Sequence, residues 1–216
     1  MAATERTVSK KSAIAGWNLF WLITIPTSLA IIVAMTTADL SSALGVSSMI
    51  QFSVRCSVPW LYIAFAASSL VVLLPGPFSH WLLRNRRYIG ISYAAAMGWQ
   101  LTFILWMLIG HWNFYVEEVY LLSDVVVQVP GYFLLFAMTL TSFRRWRIKL
   151  SAQQWRILHK GSIYFLWATV WTTYWYELYY YNDIQLIDYV FYWTGLAVWG
   201  LRVLAWGRKR VARAVA

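Results

Sequence analysis

Polar and apolar residues fall along this chain in long blocks. Apolar runs of roughly 20 residues, the length that crosses a bilayer as a helix, recur between short polar stretches. They predict six spanning helices over about 16–37, 56–75, 89–110, 121–142, 161–180 and 186–206. Short connections make consecutive helices antiparallel neighbours in one bundle. Pro75-Gly76-Pro77 ends the second helix, because proline removes a donor and disfavours helix in its predecessor. Pro26 and Pro130 are expected to kink their helices, whereas Pro59 fits a helix first turn.

Composition agrees with this pattern. Hydrophobic residues are 61% of the chain and charged residues 12%, about half the charge of a soluble domain. The expected fold class is an all-α integral membrane protein. Residues 1–15 form a short leading segment, 16–206 a six-transmembrane-helix bundle and 207–216 a basic tail. The first run follows Arg6, Lys10 and Lys11 in the manner of a signal peptide, but it exceeds a signal-peptide core and is read as a retained helix. Cys56 is the one cysteine. It excludes an internal disulfide and a cysteine metal cluster, and fits a small buried apolar residue.

The distribution of charge then sets orientation. Seventeen of the eighteen basic residues fall in the leading segment, the second and fourth connections, and the final stretch from Arg202; Arg55 is the exception. Asp39, Glu117, Glu118, Asp124, Glu177, Asp183 and Asp188 fall on the opposite side. The positive-inside rule puts both termini in the cytoplasm, and the expected location is a bacterial inner membrane. The net charge of +10 is thereby accounted for without nucleic acid. Arg144, Arg145 and Arg147, with Trp146 and Ile148 interleaved, also suit a segment lying against anionic lipid or a soluble partner. Arg55 is expected to find one of the opposite acids.

Fifteen Trp and fourteen Tyr supply an aromatic belt at the two membrane surfaces. Trp175, Tyr176, Tyr179, Tyr180 and Tyr181 are denser than a belt requires and could carry a partner subunit or an apolar ligand.

The chemistry centres on helices three and five. His159 opens helix five and Thr172 follows thirteen residues later, about 20 Å along a helix. Gln100 lies thirteen residues after Arg87 in helix three, so Gln100 and Thr172 are expected at similar depth. Ser162, Thr169, Thr172 or Thr173, and Tyr176 share a helical face with His159. Gln100 is costly inside a membrane and is expected to bond within the bundle, near Thr169 or Thr172. His80 and His111 fall at the two membrane surfaces.

The pattern Leu83-Arg-Asn-Arg86-Arg87-Tyr88-Ile89-Gly90, with Thr141-Ser142 and Trp155-Arg156-Ile157-Leu158-His159, resembles the ferric-reductase-like transmembrane domain family. That family includes the membrane subunit of the periplasmic methionine sulfoxide reductase system. The resemblance spans about 56–206 and implies a six-helix bundle that binds haem b through histidines on helices three and five. Carried over, it places one ligand at His159 and the others at positions occupied by Gln100 and Thr172, with Met97 where some members have a further histidine. Glutamine and threonine are poor haem ligands.

Three functions follow as expectations. The first is a haem-free structural or accessory subunit of a larger membrane complex, with lipids and other membrane subunits as partners and no cofactor or catalytic residue. The second is an electron-transfer protein using haem b or quinone. The third is a binder of a small apolar molecule or lipid in the vacated pocket.

Overall fold

The computed structural model describes residues 14–119, 122–180 and 184–215. Arg6, Lys10, Lys11, Tyr181 and Asp183 lie outside the described residues, as do the side chains of Glu118 and Asp124. The described chain is all-α. Its helices are α1 (Trp17–Thr37), α2 (Ala43–Leu73), α3 (Pro77–Gly110), the single turn α4 (Trp112–Phe114), α5 (Leu122–Thr141), the short α6 (Arg144–Arg147), α7 (Ala152–Tyr180) and α8 (Leu186–Val215), with a π-turn at Tyr115–Val119.

Of these, α1, α2 and α3 are long and apolar enough to cross a membrane, with mean hydropathies of 2.0, 1.8 and 1.4. The chain thus has the helices of a membrane protein. Val126–Thr141 of α5 is a shorter apolar helix. α7 and α8 are long, but polar and basic residues interrupt them.

Several helices start earlier than the apolar runs suggest. α2 starts at Ala43 because Ser42 caps it, its hydroxyl accepting from the Gly45 amide at 3.1 Å. Pro59 therefore lies inside α2, not in a first turn. The Pro75-Gly76-Pro77 break holds, and Pro77 is the first residue of α3. Proline suits that position, where its missing N–H would have no helical partner. Ser79 ties the turn by accepting from the Gly76 amide and donating to the Leu74 carbonyl. α7 begins at Ala152, so His159 sits two turns inside the helix rather than at its opening.

α2, α3, α5, α7 and α8 form a closed ring, and α1 packs outside it against α3. The ring is continuous through α2–α3, α2–α8, α7–α8 and α5–α7; the α3–α5 seam is the sparsest. Its core includes Val58, Leu61, Phe65, Tyr93, Leu135 and Leu166. Serines and threonines in the helices bond to their own preceding turn, as Ser53 does to Ile50 and Thr139 to Leu135. This satisfies their hydroxyls without leaving the helix.

Aromatic rings lock α2, α7 and α8 together. Trp167 stacks on Phe65, Trp171 and Trp199 at 5.5, 6.0 and 6.2 Å, and Trp171 stacks on Tyr192 at 5.4 Å. Trp167 Nε1 donates to the Gly195 carbonyl at 2.9 Å. A Cβ on Gly195 would lie 2.6 Å from Tyr62 Oη and 2.8 Å from Trp171 Cδ1. Gly195→Ala is therefore expected to cost about 1–3 kcal/mol by overpacking. Thermal unfolding in detergent measures it, with Gly200→Ala, which meets nothing within 4 Å, as the control expected to lose no stability.

Candidate functional site

Two cavities lie inside the ring, one at each end. The first, of about 610 Å³, opens at the end where α3 begins and α5 finishes. This is within the size range of small-molecule sites. Arg84, Arg86, Arg87, Arg144, Arg147, Arg156, Lys160 and Arg202 line it together with His159, and among the described residues no acid does. Its deeper wall is apolar, built from Leu61, Ala64, Ile91, Leu135, Ile163 and Leu166. Among the described residues the one ion pair, Arg55–Asp188, is at the other end of the ring. No carboxylate among the described residues lines the basic cavity to balance these cations.

Each cation is placed by its element. Arg84, Arg86 and Arg87 occupy the first turns of α3, and the α5–α7 link brings Arg144 and Arg147 across from them. Arg145 is exposed and does not line the cavity. Arg202 is a single arginine inside an otherwise apolar stretch of α8. Its guanidinium donates to the Phe65 carbonyl from Nε at 3.1 Å and from Nη2 at 2.9 Å, and stands 3.9 Å over the Phe65 ring. Cation–π contact and a carbonyl acceptor partly replace water for a charge held among aromatic rings.

His159 stands on the cavity wall in a stack of three groups. The Arg147 guanidinium lies 4.4 Å over Trp155, and Trp155 lies 4.4 Å from the imidazole. Nε2 is 3.0 Å from Thr141 Oγ1 on α5. Burial, then Arg86 and Arg147, pushes the imidazole down from 6.5 to about 4. An unfolded chain takes up this proton near pH 6.5 while the folded one does not, so stability is complete above that pH. It falls as pH drops from about 6.5 toward 4. His159→Gln is expected to flatten that part of the profile of unfolding temperature against pH.

The second cavity, of about 300 Å³, lies toward the opposite end. Gln100 lines it and bonds within the bundle as expected, but to a different helix. Its Oε1 accepts from Tyr132 Oη on α5 at 2.8 Å, and α7 is not involved. The expected pairing of Arg55 with an acid is found. Arg55 Nη2 donates to Asp188 at 3.2 Å and Nη1 to Gln185 Oε1 at 2.7 Å. Glu177, Thr169 and Thr173 complete the polar wall.

Thr172 is not part of either cavity. It faces outward, and its hydroxyl donates to the Ala168 and Thr169 carbonyls of its own helix. The helical face holding His159 instead continues through Ser162, Leu166, Thr169 and Thr173, while Thr172 and Tyr176 lie off it. Met97 lines the second cavity and its sulfur accepts from Ser57 at 3.3 Å. His80 Nδ1 lies 2.8 Å from the Gly76 carbonyl, and His111 caps the far end of α3.

The haem b that the resemblance implies would sit between facing axial donors, normally of histidine, methionine, cysteine or tyrosine type. His159 and Met97 line different cavities, Gln100 is held by Tyr132, and Thr172 faces away. The four positions do not form such a pair.

The tyrosine-rich end of α7 is a surface. Trp175 meets Tyr176, Tyr179 and Tyr180 at 5.1, 5.9 and 5.4 Å, and all three tyrosines are exposed. Sequence reasoning counted Arg202 only toward topology and did not single out Tyr93, and both line a cavity. An arginine inside an apolar span is costly, and that signal marks Arg202. Nothing in the sequence marks Tyr93. Set against known protein families, curated proteins and solved structures, the chain matches none of them.

Proposed function

We propose that this is a multi-pass membrane protein that holds an amphipathic molecule with a phosphate-type anionic head in its basic cavity. The six apolar runs are its spans, and the basic end faces the cytoplasm of a bacterial inner membrane. The observation that carries this reading is a cavity lined by eight cations and, among the described residues, no acid, set on an apolar wall. Arginine forks pair well with phosphate oxygens, and the apolar wall suits the first carbons of a lipid chain. The resemblance to ferric-reductase-like transmembrane domains supports a bundle with a ligand between its third and fifth spans. The residues at 97, 100, 159 and 172 favour a ligand other than haem b.

Native mass spectrometry from mild detergent tests this. One bound anionic phospholipid per chain is the expected result. Retention of zwitterionic lipid with equal preference would remove the basis of the proposal. An absorption spectrum of the same sample tests the haem reading, which requires a Soret band.

A second reading is an accessory subunit of a larger membrane complex. The exposed aromatic group at Trp175, Tyr176, Tyr179 and Tyr180 favours it, because such rings suit an interface. A chain that never associates with another subunit in mild detergent would count against it.

A further inference from the structure

We propose that the ring is also a passage, through which the anionic head of a membrane lipid moves between the two leaflets. This rests on the binding reading above and adds a second function to it. The two cavities do not merely lie at opposite ends. Tyr93, Leu135 and Leu166 line both, so these three side chains stand where the two cavities adjoin. They come from α3, α5 and α7, one from each wall.

Three features make this junction a gate. The first is Tyr93. Its side chain is 2% exposed and its hydroxyl has no hydrogen-bond partner. A buried unpaired hydroxyl is unfavourable and needs a reason; a phosphate oxygen crossing the constriction gives it an acceptor. The second is α5, which carries Pro130 inside the helix and Gly131 beside it. Proline removes one backbone bond of the helix and bends it. Gly131 faces α7, where a Cβ would sit in ordinary contact with Phe165 at 3.7 Å, and glycine beside proline leaves this part of α5 less helix-favouring. Leu135 lies about one turn beyond this weak point. The third is the sparse α3–α5 seam, where a lipid's tails can stay in the membrane while its head travels inside.

Charge along the route is uneven. The basic cavity holds the head strongly. The second cavity offers Arg55, already paired with Asp188, beside Gln100 and Tyr132, and lets it go. The unevenness sets where the head rests, and the lipid gradient sets the direction of net movement.

The full chain reconstituted in phosphatidylcholine vesicles, with acyl-labelled fluorescent phosphatidylglycerol as probe, tests this. Dithionite bleaches the outer-leaflet label, and the remaining decay reports exchange between leaflets. Exchange faster than in protein-free vesicles is expected. Leu135→Ala is expected to raise the rate about tenfold and Leu135→Trp to lower it about tenfold, which is a barrier change of about 1.4 kcal/mol. Tyr93→Phe keeps the ring in place, removes the hydroxyl and is expected to slow exchange.

Wild-type exchange at the protein-free rate, with lipid still bound by native mass spectrometry, would overturn the passage and leave the binding reading standing. Loss of lipid binding itself would sink the binding reading instead. Vesicles loaded with inorganic phosphate form the second arm. Phosphate efflux without lipid exchange would mean that a free anion, not a lipid head, uses the route, and would also overturn the proposal.

Discussion

Replacing Arg86 and Arg147 together with glutamine is expected to weaken binding of an anionic phospholipid about 100-fold. Both guanidiniums line the basic cavity, and they approach His159 from opposite helices. A hydrogen bond to a charged group contributes about 1.5–3 kcal/mol, and each 1.4 kcal/mol is tenfold in affinity. Losing one such bond at each arginine therefore gives roughly two powers of ten. Titration of fluorescent phosphatidylglycerol into the protein in nanodiscs reads the change. Arg145→Gln, outside the cavity, is expected to bind as the wild type does. Equal loss in both variants would mean that surface charge alone attracts the lipid. Raising the salt concentration should weaken Arg145-type surface contacts more than contacts inside the cavity, because buried charges are screened less.

The second large effect is on stability. Asp188 is buried, with its side chain 1% exposed, and Arg55 opposite is 23% exposed. Both Asp188 oxygens are used, one by Arg55 Nη2 and the other by the Gln185 amide at 3.0 Å. Removing one partner of such a pair costs about 3–5 kcal/mol, because a buried charge is left unbalanced. The two single replacements should not be equal. Arg55→Ala leaves the carboxylate buried and is expected to cost the full amount. Asp188→Ala leaves an arginine that can turn toward water, and should cost less. The double replacement should recover part of the loss, as residues in direct contact are not additive. Reversible unfolding in mixed micelles measures all three, and equal costs for the two singles would contradict this account.

Much of the architecture could be read along the chain, for identifiable reasons. Apolar runs mark helices because a backbone in an apolar medium must satisfy its own hydrogen bonds. Pro75-Gly76-Pro77 marks a boundary because proline acts locally. The partnering of Arg55 with an acid was legible because one basic residue stood among acids. Other features depend on three-dimensional packing. The early start of α2 comes from a polar first half, Ser47 to Arg55, that a hydropathy window rejects but the ring interior accepts. Thr172 was placed by residue spacing alone, and the rotation of α7 turns it outward in favour of Thr169 and Thr173. Gln100 was expected to reach α7, yet Tyr132 on α5 is nearer. The cavities are set by which helices close the ring, and residues far apart in the chain, such as Tyr93, Leu135 and Arg202, decide that.

The stacked rings that lock α7 and α8 also give the protein an optical signature. Trp167, Trp171 and Trp199 lie nearly parallel, with interplanar angles of 13° and 12°. Indoles held this way share their excited states. Their near-ultraviolet circular dichroism should form a coupled pair of bands, and their fluorescence should depolarise by energy migration before emission. A slide of α7 against α8 would part Trp199 from Trp167 while leaving the Trp167–Trp171 pair, both on α7, and the helical content unchanged. The protein thus carries an internal reporter of helix register, readable without any added label.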